Sequence, residues 1–141
     1  MSSATSQPQA RLINLIVVHC SATEQGRDFC AADIDRWHRE RGFARIGYHY
    51  VIRLDGTIEQ GRPESAVGAH CQGYNCNSIG ICYTGGLCRG VPADTLTEPQ
   101  LASLRRLIAD LKRRYRGARV VGHRDLNPHK ACPCFDVAAR L

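Results

Sequence analysis

The chain has 141 residues, enough for one domain with a core of its own, and its longest apolar run is the four residues Leu15 to Val18, which excludes a membrane span. Lys and Arg number 19 against 13 Asp and Glu, a formal net charge of +6. That balance is too modest to indicate nucleic-acid binding by itself and favours anionic partners, such as phosphates or a carboxylate-rich polymer.

Residues 1–10 are rich in Ser, Gln, Thr and Pro, without a basic patch leading into an apolar core. They read as a flexible leader rather than a secretory signal, so the expectation is synthesis in the cytoplasm. A single domain then occupies residues 11–141. Leu12 to His19 is apolar and β-branched, the pattern of a buried strand, and it ends in His19-Cys20-Ser21. Asp28 is placed to cap a helix running to about Arg41, with Ile34, Trp37 and His38 inward and Gly42 as its stop.

From Gly47 to Arg62 the alternation around Asp55-Gly56 predicts a hairpin, with Tyr48, Tyr50 and Ile52 on one face and His49, Val51 and Arg53 on the other. Residues 63–77 read as loop, and Ser78 to Tyr83 as a second buried strand closed by Gly85-Gly86. Thr97-Glu98-Pro99-Gln100 is a capping box, followed by Leu101, Leu104, Ile108, Leu111 and Tyr115 at helical spacing. The cations Lys112, Arg113, Arg114 and Arg116 suit the negative end of that helix and read as a solvated face. Arg119 to His123 is a short last strand, again ending in His. Strands interleaved with two helices give an α/β fold: a single domain whose mixed β-sheet is flanked by helices.

His19 and His123 end two apolar strands, and such termini can lie side by side at the sheet edge where ligand clefts form. With a thiolate from Lys130-Ala131-Cys132-Pro133-Cys134 they make a three-ligand set that leaves zinc an open fourth position, the arrangement of a catalytic site. Spacing alone equally permits Cys134, or a structural site built on Cys71 and Cys76. Eight cysteines in 141 residues are too sparse for a disulfide scaffold, and their pairing is not deducible; Cys71 and Cys76 are the pair most readily bridged in an oxidising compartment.

The run Val18-His19-Cys20-Ser21-Ala22-Thr23, then Trp37-His38 with Arg41-Gly42, then Gly47-Tyr48-His49-Tyr50 before Asp55-Gly56-Thr57, resembles the zinc-dependent N-acetylmuramoyl-L-alanine amidases of peptidoglycan. Ala66-Val67-Gly68-Ala69-His70, Gly73-Tyr74-Asn75, Asn77-Ser78-Ile79-Gly80 and Lys130-Ala131-Cys132-Pro133 with Phe135-Asp136 continue the match, which spans roughly residues 14 to 137 in order. This is the family of phage lysozymes and animal peptidoglycan recognition proteins. The resemblance implies an amidase or recognition-protein-like fold and one zinc per chain on His19, His123 and Cys132. It implies Tyr48 and Lys130 as catalytic residues, and His70 as a residue binding the muropeptide.

The segment from His123 to Cys132 is one residue longer than in the phage type, and its His129 is an added candidate ligand or proton carrier, ranked below His123. The implied activity is hydrolysis of the amide between N-acetylmuramic acid and L-alanine, carried out by a monomer on the cell wall after release or export. A non-catalytic peptidoglycan-binding module is the alternative, which loss of the Cys ligand would favour; Cys132 is present. RNA polymerase binding, known in the phage type, is a third reading, but the matching residues are core and active-site ones and carry no such surface.

Overall fold

The computed structural model describes residues 11–141; the expected leader, residues 1–10, lies outside the described residues. Strand β1 (Leu15–Cys20) is buried along its whole length, as a central strand covered on both faces must be. It begins three residues later than its composition suggests, leaving Leu12 exposed, and runs one residue past His19. Next in the chain are a two-residue strand β2 (Thr23–Glu24), helix α1 (Ala31–Glu40), and the hairpin of β3 (Tyr50–Ile52) and β4 (Ile58–Gln60). The loop from residue 63 is closed by a 3₁₀ turn at Asn75–Asn77 and leads into β5 (Ser78–Tyr83). Short strands β6 (Gly86–Cys88) and β7 (Val91–Pro92) precede the long helix α2 (Glu98–Arg114), and β8 (Arg119–Gly122) is followed by single-turn helices α3 (His123–Leu126) and α4 (Val137–Arg140).

The main sheet has the order β4-β3-β5-β1-β8. The pairs β3·β5, β5·β1 and β1·β8 are parallel, and β4 is an antiparallel edge, so the expected mixed sheet is present. The strands β2, β6 and β7 form a separate small sheet.

Each face of the main sheet is covered. On one, Ile16 and Val18 of β1, Ile79, Ile81 and Tyr83 of β5, and Ile52 of β3 pack against Leu104, Leu107, Ile108 and Leu111 of α2. Fully burying an aliphatic side chain of this size stabilises by about 1.5–3 kcal/mol. The capping box forms as expected: Thr97 Oγ1 accepts from the Gln100 amide at 3.1 Å, and Gln100 Oε1 accepts from the Thr97 amide at 3.0 Å. Gln100 also donates to the carbonyls of Thr84 at 2.9 Å and Ile52 at 3.3 Å, so the cap clamps the start of α2 to the ends of β3 and β5.

The opposite face holds two apolar clusters, one of Ile34, Ile46, Val51 and Cys82 beneath α1, the other of Leu15, Val17 and Val121. His19, at the end of β1, is on this face by strand alternation with Leu15 and Val17.

Three further local expectations differ from the fold. Helix α1 is capped at Cys30 rather than Asp28. The Asp28 carboxylate is taken by Arg53 at 2.6 Å and the Leu54 amide at 3.2 Å, while Asp33 receives the Cys30 amide at 2.9 Å. The last strand stops at Gly122, and His123 opens a helical turn because the Asp125 carboxylate accepts the Gly122 amide at 2.7 Å. Finally, Tyr48 does not share a face with Tyr50 and Ile52; it packs with Ile34, Val51 and Cys82 on the other side. Regular strand begins only at Tyr50, and just before it the His49 ring takes the place of a backbone acceptor, its Nδ1 receiving the Gly80 amide at 3.0 Å.

Candidate active site

His19 is brought to the C-terminal end of the parallel strands by β1, and His123 follows β8 in the adjacent position. Their ring centroids are 4.6 Å apart. Cys132 arrives on the loop after α3, and four contacts hold that loop. The Cys20 amide donates to Cys132 Sγ at 3.2 Å, the Arg124 amide to the Cys132 carbonyl at 2.8 Å, the Cys134 amide to the Ala131 carbonyl at 2.8 Å, and the buried Tyr83 hydroxyl to the Pro133 carbonyl at 2.6 Å. Gly122 is needed here, since a Cβ on it would lie 2.8 Å from the Pro133 ring. One donor atom from each of His19, His123 and Cys132 lies within 4.8 Å of the others.

Burial removes water from the charged form of each imidazole and lowers its pKa, for His19 well below the ordinary histidine value and for His123 by less. Both rings are therefore neutral and able to donate a lone pair. Cys134 is not part of this set. Its Sγ lies 3.8 Å from that of Cys20, whose side chain joins the core on the α2 side, and burial pushes the Cys134 thiol up to about 12. Cys71 is buried and Cys76 exposed, and both are free thiols, as are the other six cysteines.

The three donors open on a cleft of about 470 Å³ whose lining includes Tyr48, His70, Arg41, Phe43, Asn75 and Lys130. The Tyr48 ring stands 5.1 Å from that of His19, and desolvation holds its phenol protonated, well above its ordinary pKa. Lys130 lies close enough for its charge to add to the lowering of the His123 pKa, second to burial. His129 is exposed and does not line the cleft.

His70 is buried against the sheet on a loop held by Asn75, whose Oδ1 accepts the amides of His70 and Cys71, both at 2.9 Å. Its ring lies over Gly80, where a Cβ would come within 2.6 Å of it. Its Nδ1 is 2.8 Å from His19 Nε2, and its Nε2 is 3.2 Å from Ser78 Oγ. In the sequence Ser78 is the start of a strand and part of the Asn77-Ser78-Ile79-Gly80 motif, and neither reading marks it as a partner of His70. His38 was read as an inward residue of α1, and its ring does point in, receiving the Gly47 amide on Nδ1 at 2.9 Å while also lining the cleft.

A mixed α/β sheet with a His-His-Cys cluster at the mouth of a cleft defines a small α/β protein equipped to hold one metal ion for work on a bound ligand. The profile of the N-acetylmuramoyl-L-alanine amidase family matches residues 8–135. The endolysin of Klebsiella phage KP32 is 46% identical over 123 residues, covering 86% of this chain and 81% of its own. The endolysin of Escherichia phage T7 is 44% identical over 130 residues, 92% of this chain and 85% of its own. Among solved structures, the N-acetylmuramoyl-L-alanine amidase LysC from Clostridium intestinale superimposes with a TM-score of 0.77 at 34% identity, covering 88% of this chain and 78% of that one. The chain belongs to the N-acetylmuramoyl-L-alanine amidase family. It is an amidase, and the bond it hydrolyses is the amide joining N-acetylmuramic acid to L-alanine in peptidoglycan. Among the described residues no helix is long and apolar enough to cross a membrane.

Proposed function

We propose that this amidase works with one zinc ion per chain held by His19, His123 and Cys132, that Tyr48 and Lys130 are its catalytic residues, and that the domain of residues 11–141 acts as a monomer in cell-wall lysis of the phage or prophage endolysin type. The observation that carries the reading is the convergence of two imidazoles and one cysteine sulfur within 4.8 Å of one another. Two nitrogens and one sulfur suit zinc, and three protein ligands on an open cleft suit a catalytic rather than a structural ion. When bound, zinc supplies Lewis acidity that polarises the amide carbonyl and lowers the pKa of a water toward neutrality.

The chain's own groups supply the rest. The Tyr48 phenol, kept protonated by burial, is a hydrogen-bond donor beside the cluster. Lys130 brings a positive charge to the same wall of the cleft. Together they are suited to stabilise the negative charge that develops on the amide oxygen as the carbonyl carbon is attacked. His70 contributes the edge of its ring to the wall that receives the muropeptide, because both ring nitrogens already have protein partners. All of these residues come from one chain, so a monomer carries the complete constellation.

Assembled peptidoglycan lies outside the cytoplasmic membrane, so in this reading the enzyme acts on the wall after release or export. The test is clearance of purified cell walls with and without a chelator, together with elemental analysis of the protein. One zinc per chain, and activity lost to the chelator and restored by zinc, is the expected result; full clearance by metal-free protein contradicts it.

A further inference from the structure

We infer that His70 and Ser78 form a directed hydrogen-bond chain that fixes His19 in the tautomer whose bare Nδ1 faces Cys132, which makes both of them positioning residues for the metal. The inference rests on the reading of His19 as a zinc ligand.

The direction of the chain is set at its far end. The Tyr74 carbonyl can only accept, so the Ser78 hydroxyl, 2.7 Å away, donates its single proton there. What Ser78 Oγ has left is a lone pair, and the His70 Nε2 at 3.2 Å must supply the proton for that contact. His70 is buried and neither of its ring nitrogens meets a carboxylate, so the ring is neutral and carries one proton. With that proton on Nε2, His70 Nδ1 is an acceptor. The His19 Nε2 at 2.8 Å is then the donor, and His19, fully buried with no carboxylate partner, is left with an unprotonated Nδ1. That atom is the one 3.8 Å from Cys132 Sγ. A carbonyl three links away thus selects the ring nitrogen that is presented to the metal.

The packing around the chain keeps it in this order. Ser78 is fully buried and His70 nearly so. The His70 ring is held between positions where only glycine fits: a Cβ at Gly80 would lie 2.6 Å from it, and one at Gly68 would lie 2.7 Å from it. A His ligand whose second nitrogen donates to a fixed partner keeps its tautomer and orientation, and loss of such a partner typically lowers metal affinity about 10–100-fold.

The test is zinc affinity by chelator competition, with histidine tautomers read by nitrogen-resolved NMR on the metal-free and zinc-loaded protein. In metal-free wild type we expect His19 and His70 both protonated on Nε2. Ser78→Ala should lower zinc affinity about 10–100-fold and release His70 to populate both tautomers. If Ser78→Ala does not fold, the wild-type tautomers decide the matter alone. His19 protonated on Nδ1 in the metal-free protein overturns the inference, as does a folded Ser78→Ala with unchanged zinc affinity. A wild-type chain that takes up no zinc yet shows both Nε2 protons overturns the zinc reading and the positioning role with it; the tautomers distinguish that outcome from failure of the chain itself.

Discussion

The Cys20 amide donates to Cys132 Sγ across 3.2 Å, joining the end of the central strand to a loop 112 residues later in the chain. The Cys20 side chain points the other way, into the core and toward Cys134. Backbone and side chain of this one residue thus both engage the Cys132-Pro133-Cys134 segment. The N–H directed at Cys132 Sγ helps hold that sulfur beside the two histidines, whereas burial leaves Cys134 a packed, protonated group.

The two thiols should accordingly respond differently to substitution. Cys132→Ala is expected to abolish stoichiometric zinc binding, whereas Cys134→Ser should retain one zinc per chain. Elemental analysis of the two purified variants checks this, and full zinc content in Cys132→Ala would remove that residue from the ligand set.

Replacing the proposed charge-stabilising groups should separate rate from binding. Lys130→Ala and Tyr48→Phe are each expected to keep zinc and fold while lowering turnover by about 10²-fold or more. KM should move far less, because the charge being stabilised appears only as the carbonyl is attacked. Steady-state kinetics on a soluble muropeptide read this directly, and near wild-type turnover in both variants would exclude the assigned roles.

His49 predicts an acid limit to stability. Its Nδ1 receives the Gly80 amide and its Nε2 donates to the Ala66 carbonyl at 2.8 Å, so the buried ring has no room for a second proton, and desolvation lowers its pKa to about 4. The unfolded chain takes that proton near the ordinary histidine pKa of about 6.5. Between these values the unfolded state binds more protons than the folded one, so stability falls as pH drops, by about 1.4 kcal/mol per pH unit for this residue. Above about pH 7 its contribution is level. Urea unfolding of metal-free protein at several pH values tests this, and a midpoint unchanged from neutral pH down to about 5 would contradict it.

Gly80→Ala probes the seat of His70. The added methyl would lie 2.6 Å from the imidazole in a fully buried position of β5, and overpacking of this kind typically costs about 1–3 kcal/mol. We expect a lowered thermal midpoint together with weaker zinc binding, since His70 must move away from His19. A variant as stable as wild type with unaltered zinc affinity would show that the ring can shift at no cost.

Much of this protein is legible in local sequence patterns. The unbroken apolar run of β1, the Thr97 to Gln100 capping box with the leucines that follow it, and the Asp55-Gly56 reversal each depend on neighbours a few residues away, and each formed, β1 with shifted ends. The motif text likewise identified the two histidines and the cysteine that the fold brings within 4.8 Å. Tertiary structure alone decided the rest. Tyr48 reaches the site face because the His49 ring takes over a backbone acceptor position and breaks the alternation, which no period of two can foretell. The choice of Cys132 over Cys134, already implied by the motif text, has its physical cause in Tyr83 and Cys20, which from two strands fix the loop between them. Ser78 acts on His19 through His70 only because the parallel pairing of β1 and β5, and the loop pinned by Asn75, stack the three side chains on one face. Periodicity reports which side of an element is apolar; which polar groups meet across elements depends on long-range pairing and on the single orientation in which every buried donor finds an acceptor.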